Sequence, residues 1–382
     1  MINTTYYQDL TKMNTFGMKV KARCFIEYDS VADLVDIEFE ELARPVLHIG
    51  GGSNLLFTDD FKGTILHSKI NFIEILDDAQ AETVLVSVGA GVVFDDFCDW
   101  AAKEGLWGVE NLSYIPGEVG ASAVQNIGAY GVEVKDVIKT VYCYDTIDEE
   151  FVNFDVEDLD YGYRDSAFKD PEIKGRYIVT HVVFALSRTP QPRLEYGHLK
   201  EAVLSASASL SSDPRPATSS LGHPLAGGGM SLPSDADAEQ EKLAKVTPAL
   251  IRKVIIKIRK EKLPETSVMG SAGSFFKNPV ISAEHYARIE AAAKAELGTD
   301  YKVPHYDLPD GTVKVPAAWM IEQCGWKGKR SGNAAVYDKQ PLVIVNYTGE
   351  AYPEEIIGLE KRIIASVKAK FDIELHPEVD HI

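Results

Sequence analysis

The stretch that decides the fold is residues 45–57, PVLHIGGGSNLLF, in which an apolar run enters three glycines and leaves directly into a second apolar run. This order predicts a strand, a glycine loop and another strand. A Rossmann fingerprint requires G-x-G-x-x-G at the start of a helix, whereas here Ser53 and Asn54 lead into Leu55. The loop is therefore either an anion-binding nest without a helix or a plain hairpin connection.

A second glycine-rich segment, residues 115–131, reads IPGEVGASAVQNIGAYG and separates its glycines by small residues. We interpret it as a second loop, which follows a strand in TVLVSVGAG (residues 83–91) and a helix in FDDFCDWAAKEG (residues 94–105). Two glycine loops predict that the backbone contacts one extended ligand at two separate places. A dinucleotide such as FAD has that shape.

Apolar periodicity predicts further elements on both sides of these loops. These are a helix from Val31 to about Glu41, a strand in residues 177–186, and a helix capped by Thr247 with Pro248 at its first position. The last third alternates helical patterns at residues 282–298 and 353–371 with an apolar strand at 341–347. This alternation predicts an α+β or α/β domain.

Composition limits the classes of partner and compartment. The net charge of −19 over 382 residues argues against a nucleic-acid partner, which would need a surplus of Lys and Arg. The four cysteines form no C-x-x-C pair and the nine histidines show no ligand spacing, so we expect no metal, no disulfide framework and a reducing cytoplasm. No apolar stretch approaches the ~20 residues of a membrane helix, and we expect no membrane association.

Residues 204–245 differ sharply in composition from the rest of the chain, being rich in Ser, Pro, Gly and Ala. Such a segment cannot bury enough apolar surface to offset its ordering entropy, and we interpret it as a flexible insertion. The helix that follows it carries the densest basic cluster in the chain: Arg252, Lys253, Lys257, Arg259, Lys260 and Lys262. These charges either form a solvated helix face or meet ligand phosphates.

Two motifs carry candidate chemistry. Residues 270–279, GSAGSFFKNP, place Ser274 between a glycine and two phenylalanines, which is either a ligand wall or a tight turn with the two rings in the core. In YGYRDSAFK, residues 161–169, Arg164 is a natural partner for a ligand carboxylate, although it could also pair with Asp165 or Glu172.

Taken together, these motifs resemble one family, UDP-N-acetylenolpyruvoylglucosamine reductase, a flavin enzyme of peptidoglycan precursor synthesis. The resemblance spans nearly the whole chain except the insertion, and its motifs stand in the family's order: GGGSNLLF, IPGEVGASAVQNIGAYG, YGYRDSAFK, LEYGHL, KIRKEKLP, GSAGSFFKNP, AAWMIEQCGWKG and PEV. LEYGHL, which holds Tyr196, marks the subgroup that closes a tyrosine loop over the substrate.

The resemblance implies an α+β protein with a vanillyl-alcohol-oxidase-type, PCMH-like FAD-binding region in two parts, residues 1–70 and 71–203, the second joined by the tail 372–382. A C-terminal α+β substrate domain follows at residues 246–371. The flavin contacts that it implies are Gly50, Gly51, Gly52, Ser53, Asn54, Ile115, Pro116, Gly117, Val119, Gly120, Ala121, Ile127, Gly128, Arg164 and Ile178. The substrate contacts that it implies are Tyr130, Tyr196, Lys262, Asn278 and Gln323.

The resemblance also implies the chemistry. NADPH reduces non-covalently bound FAD, and the enolpyruvyl group of UDP-N-acetylglucosamine enolpyruvate then takes the hydride. Arg164 and a protonated Glu378 would stabilise the enolate that forms, and Ser274 would protonate its carbon. The chain departs from the family at Ala121, where a small polar residue is common, and at Asp380, where arginine is common.

Two other functions remain open from the sequence, namely a different flavin oxidase or dehydrogenase on the same fold and a non-catalytic flavin or nucleotide carrier. We expect a monomeric enzyme that acts on a small UDP-sugar.

Overall fold

The computed structural model describes residues 1–76, 82–210 and 242–382. The predicted flexible insertion therefore lies mostly outside the described residues. Within the described ranges, no helix combines the length and the apolarity needed to cross a membrane.

The first part of the chain is a four-stranded sheet in the order β1-β2-β5-β3, in which β2, β5 and β3 run parallel and β1 is antiparallel to β2. Its elements are β1 (Ile2–Asp9), β2 (Lys21–Tyr28), α1 (Val31–Val35), β3 (Val46–Ile49), β4 (Leu55–Leu56) and β5 (Phe61–Ser68). The predicted strand, glycine loop and strand of residues 45–57 are confirmed as β3 and β4.

Helix α1 is shorter than predicted, because it ends at Val35 instead of continuing to Glu41. Ser30 caps its start by accepting a hydrogen bond from the backbone N–H of Asp33. Beyond the helix, Ile37 and Phe39 are buried while Glu38 is exposed. A two-residue spacing of buried side chains does not match a helical face.

The second part is a five-stranded antiparallel sheet in the order β11-β10-β12-β7-β6. Its elements are β6 (Ile73–Ile75), β7 (Thr83–Gly89), α2 (Phe94–Lys103), α3 (Val119–Gln125), β8 (Gly128–Ala129), β9 (Val132–Glu133), β10 (Ile138–Asp145), β11 (Glu150–Asp155), β12 (Tyr177–Ser187) and α4 (Leu199–Leu210). The predicted strands at residues 83–91 and 177–186 and the predicted helix at 94–105 are confirmed.

The second glycine segment is not a loop throughout, since α3 occupies its centre. Gly120 lets this helix approach β7 closely, because a Cβ there would stand 2.9 Å from the Cβ of Ala90. Asn126 ends the helix in the left-handed conformation, with φ of 43°, which asparagine tolerates better than most residues. One glycine that we assigned to a loop thus serves helix packing.

The C-terminal part holds two small antiparallel sheets, β13-β19-β18-β17 and β14-β16-β15, covered by helices. Its elements are α5 (Pro248–Lys262), β13 (Gly270–Ser271), β14 (Val280–Ser282), α6 (Ala283–Leu297), β15 (Tyr306–Asp307), β16 (Thr312–Lys314), α7 (Ala317–Gln323), β17 (Arg330–Ser331), β18 (Ala334–Val336), β19 (Ile344–Asn346), α8 (Pro353–Phe371) and β20 (Asp380–His381). The predicted cap of α5 is confirmed, because the Thr247 hydroxyl accepts from the N–H of Leu250.

Three features of the structure cross the expected domain boundaries. Helix α4 continues to Leu210, inside the segment assigned to the insertion, and buries Ser207 there. Helix α5 packs in one apolar cluster with α4 and Trp107, and so contacts the second part. The terminal strand β20 pairs in parallel with β4 of the first part.

Candidate active site

The two glycine segments meet and form what we call the glycine cradle, residues 50–54 and 115–121. The hydroxyl of Ser53 donates to the carbonyl of Pro116 at 3.0 Å, and a Cβ added to Gly51 would stand 3.5 Å from the Cα of Gly117. Gly52 has φ of +62°, and a Cβ on it would lie 1.9 Å from the carbonyl oxygen of Met13, so only glycine fits there. The cradle is a backbone surface of the kind that receives phosphates.

Arg164 and Glu378 form an ion pair at one end of this cradle. The Nε of Arg164 lies 2.9 Å from Oε1 of Glu378, and the side chains are only 20% and 16% exposed. The same guanidinium donates to the carbonyl oxygens of Gly128 and Asn126. The alternative pairing of Arg164 with Asp165 or Glu172 is therefore wrong, because its Nε pairs with Glu378 of the tail and its two terminal nitrogens donate to backbone carbonyls.

Glu378 is held among cations and still has a raised pKa. Burial raises the pKa of its carboxyl group above the usual range and outweighs the opposing effects of Arg164, Lys169 and Lys277. The pairing of β20 with β4 and a hydrogen bond from Nδ2 of Asn54 to the Glu378 carbonyl, at 3.1 Å, fix the tail. A raised pKa is the direction that a protonated Glu378 requires.

Ser274 lies exposed on the loop that packs against this tail. The N–H of Glu378 donates to the carbonyl of Phe275 at 2.8 Å, which brings the serine loop and the carboxyl group together. Phe275 and Phe276 are 0% and 1% exposed and belong to the C-terminal core, so the alternative that both rings are core residues is confirmed. Within the part of the chain that the structure describes, the Ser274 hydroxyl forms no hydrogen bond to its own turn, so it is free to meet a ligand.

Tyrosine side chains continue the site away from the ion pair. The rings of Tyr130 and Tyr196 meet edge to face with centroids 6.0 Å apart. Partial burial and the neighbouring hydroxyls of Tyr306, Tyr163 and Tyr130 raise the pKa of Tyr196 to about 12. Nδ2 of Asn278 lies 3.3 Å from the hydroxyl of Tyr163. Three of the expected substrate residues, Tyr130, Tyr196 and Asn278, are thus brought to one wall.

The basic cluster on α5 divides into exposed and buried members. Arg252 pairs with Asp95 and Asp99, whereas Lys253, Lys257, Lys260 and Lys262 are exposed. Arg259 is directed inward and donates from Nε to the carbonyl of Tyr114 at 3.1 Å. Burial lowers the pKa of Arg259, and no carboxylate of the described chain pairs with it. The solvated-face interpretation therefore fits only the exposed lysines.

Comparison with known proteins assigns this arrangement to a family. A model described as the UDP-N-acetylenolpyruvoylglucosamine reductase C-terminal domain matches residues 264–382, and a model described as FAD binding domain matches residues 22–154. A UDP-N-acetylenolpyruvoylglucosamine reductase of Bacteroides fragilis is 46% identical over 374 residues, which is 98% of each chain. The chain belongs to the UDP-N-acetylenolpyruvoylglucosamine reductase family.

Other members of this reductase family agree in length and fold. The reductases of Porphyromonas gingivalis and Neisseria meningitidis are each 41% identical over 98% of this chain and over 97% and 96% of theirs. A crystal structure of the UDP-N-acetylenolpyruvylglucosamine reductase of Thermus caldophilus superposes with a TM-score of 0.60 at 20% identity, and covers 100% of this chain and 98% of that chain. The vanillyl-alcohol-oxidase-type fold expected for the family is confirmed. The glycine cradle offers a backbone surface suited to the diphosphate of FAD.

At two positions, Ala121 and Asp380, this reductase departs from the residues that are common in the family. Ala121 lies inside the cradle close to Gly50, because a Cβ added to Gly50 would stand 3.1 Å from the Cβ of Ala121. Asp380 lies 3.6 Å from Nζ of Lys174 and 3.5 Å from Nε2 of Gln125. A lysine and an amide therefore surround the position where the family often has arginine.

Two expected contacts of the reductase family lie away from these groups. Ile178 is buried in an apolar cluster between the first two sheets, together with Tyr28 and Tyr144. Gln323, at the end of α7, lines a cavity of about 350 Å³ between α6 and the end of α8. Its carbonyl accepts from Nζ of Lys370. The structure therefore supports neither side chain as a neighbour of the Arg164–Glu378 pair.

Sequence reasoning missed several members of the site. Tyr163, Tyr306 and Lys314 surround Asn278 and Tyr196, and the ammonium of Lys314 stands 4.4 Å from the centre of the Tyr163 ring. Arg259 was counted only among the basic residues. The signal that could have found Tyr163 is its place directly before Arg164; Tyr306 and Lys314 come from a sheet far along the chain and carry no motif.

Proposed function

We propose that the protein is an NADPH-dependent FAD enzyme that reduces the enolpyruvyl group of UDP-N-acetylglucosamine enolpyruvate to the lactyl ether of UDP-N-acetylmuramate. The observation that carries the proposal is the partly buried Arg164–Glu378 pair, placed between the glycine cradle and the Ser274 loop. Membership of the reductase family supplies the reaction. We also propose that the protein acts as a monomer in the cytoplasm, without nucleic acid.

The reaction adds one hydride and one proton across the vinyl ether double bond. FAD would be held by the backbone of the glycine cradle and would supply the hydride chemistry that links NADPH to the terminal carbon of the substrate. The residues of the chain must then stabilise negative charge on the carbon beside the carboxylate and on the carboxylate itself. Such developing charge is usually the largest target of catalysis.

Arg164 and Glu378 fit this electrostatic role. Each terminal nitrogen of Arg164 has a second N–H besides the one bonded to a backbone carbonyl, so the guanidinium can donate to the oxygens of a substrate carboxylate. A substrate carboxylate beside Glu378 adds a second anion, which raises the pKa of Glu378 further and favours its protonated, donating form. The hydroxyl of Ser274 delivers the proton to carbon, and the hydrogen bond from the N–H of Glu378 to the carbonyl of Phe275, the next residue, supports this role.

The direct test is product formation. Purified protein incubated with NADPH and UDP-N-acetylglucosamine enolpyruvate should consume one NADPH for each UDP-N-acetylmuramate formed, as measured by absorbance at the NADPH band and by mass spectrometry. NADPH consumption without the UDP product would favour another flavin oxidase. Flavin binding with neither reaction would favour a carrier.

FAD should be bound without a covalent link. Two candidate attachment residues are otherwise engaged, since His48 shares a 2.7 Å hydrogen bond with the hydroxyl of Tyr28 and Cys98 is fully buried. Heat or acid precipitation should therefore leave the yellow colour in the supernatant. A coloured pellet would contradict the prediction.

Lys262→Ala should raise the KM for the UDP substrate about tenfold and leave kcat and FAD content nearly unchanged. A charge that meets the substrate diphosphate acts equally in the ground and transition states, so its loss appears in KM. Lys253→Ala, an exposed lysine on the same helix, is the matched control. Equal KM values for the two variants would show that Lys262 belongs to the solvated helix face and does not contact the substrate.

A further inference from the structure

Glu118 lies in the glycine cradle, yet neither a sequence motif nor the proposed reaction assigns it a role. A Cβ on Gly50 would stand 3.2 Å from Oε2 of Glu118, and one on Gly51 would stand 4.0 Å from Oε1. The residue directly precedes α3, at the junction of the two glycine segments. Its carboxylate therefore borders the surface that would receive the dinucleotide.

One carboxylate oxygen of Glu118 is fixed by His67. The Nε2 of His67 lies 2.9 Å from Oε1 of Glu118, and its Nδ1 lies 3.2 Å from Oε1 of Glu27. Burial lowers the pKa of His67, but the hydrogen bonds that it donates to the carboxylates of Glu118 and Glu27 outweigh burial and leave that pKa raised. An imidazole held at both nitrogens, with its side chain 5% exposed, locks the Glu118 carboxylate in one orientation.

The other oxygen of Glu118, Oε2, receives no hydrogen bond from the residues that the structure describes. The side chain is only 12% exposed, and Oε2 keeps access to the space outside the chain, so it is open to a hydrogen-bond donor there. A donor from the ligand would satisfy it. The diphosphate cannot be that donor, because two anions in contact repel each other. FAD carries hydroxyl groups on both sides of its diphosphate, on the ribityl chain and on the adenosine ribose.

We propose that Glu118 is a further cofactor-binding residue, whose carboxylate is oriented by His67 and accepts a hydrogen bond from a sugar hydroxyl of FAD. The inference rests on the FAD site of the proposed function. It assigns a positioning role to His67 and a direct contact to Glu118. Glu27 holds the far side of His67 and does not border the cradle in the contacts described.

The test is the affinity of flavin-free protein for FAD, measured by quenching of flavin fluorescence. Glu118→Met keeps the shape of the side chain and removes both acceptor oxygens, and should raise the Kd about tenfold or more, the value of a hydrogen bond to a charged group. Glu27→Met is the matched control, because it also removes a His67 partner, and should stay within about twofold of the unmodified protein. Melting temperatures of the flavin-free variants monitor folding.

A second variant and a second ligand complete the design. Glu118→Asp keeps the charge beside α3 but shortens its reach, and should also bind FAD more weakly. If FMN binding weakens with FAD binding, the hydroxyl is on the ribityl chain; if only FAD weakens, it is on the ribose. Unchanged FAD affinity in both Glu118 variants, or an equal loss in Glu27→Met, would overturn the inference. An unmodified protein that binds no FAD would instead overturn the proposed function.

Discussion

Ser274→Ala should reduce turnover by ~10²–10⁴-fold, because the variant lacks the positioned general acid that protonates carbon. The loss should be confined to one half of the reaction. Bleaching of the flavin absorbance by NADPH requires no proton from serine and should proceed at nearly the normal rate. Recovery of that absorbance on addition of the UDP substrate should be severely slowed. Stopped-flow absorbance measures the two phases separately.

The control for this variant is Ser267→Ala, which removes an exposed hydroxyl from the segment that leads into the same loop. It should leave both phases unchanged. Equal slowing of both phases in Ser274→Ala would show that the serine only shapes the turn. Normal recovery of absorbance would assign the proton to Glu378 or to water.

Glu378→Ala should lower kcat by ~10²–10³-fold, as expected for the loss of one donor to a developing anion. Glu378→Gln should lose much less, because its amide can still donate to the substrate carboxylate from the same position. The difference between the two variants identifies donation as the role of this residue. A charge role would instead make them equally inactive.

The pH dependence of kcat provides an independent test of whether Glu378 acts in its protonated form. Burial raises the pKa of Glu378, and the donating form is the protonated one that prevails below this raised pKa. Activity should therefore fall as pH rises through it, and Glu378→Gln should lack that fall. Glu360→Gln, a buried carboxyl paired with His381 on the same tail, is the control and should keep the pH profile of the unmodified enzyme.

Local chemistry made much of the fold predictable. Residues 45–57 predict a strand, a loop and a strand because glycines directly follow an apolar run. Thr247 followed by Pro248 predicts the start of α5. The short α3 escaped prediction because its glycine reads as a loop residue, whereas Gly120 is there for its close approach to Ala90. Helix packing of that kind depends on a neighbour 30 residues earlier in the chain.

The site residues that lie in sequence motifs were predictable, whereas those that join the site only through tertiary contacts were not. Arg164 and Glu378 are 214 residues apart, and their pairing follows from the return of the tail to β4. The family resemblance identified both residues, while composition alone could not. Tyr306 reaches Tyr196 from a two-residue strand, and Glu118 meets His67 across two elements, so neither contact leaves a trace in local sequence.

The most direct test of the central claim is a two-step anaerobic experiment on the purified, FAD-loaded protein. NADPH should bleach the flavin absorbance, and UDP-N-acetylglucosamine enolpyruvate, added after excess NADPH is removed, should restore it with one UDP-N-acetylmuramate formed per flavin. UDP-N-acetylglucosamine, which lacks the enolpyruvyl group, should not restore it. Bleached flavin that stays bleached with the enolpyruvate, or that recovers equally with both sugars, would contradict the proposed function.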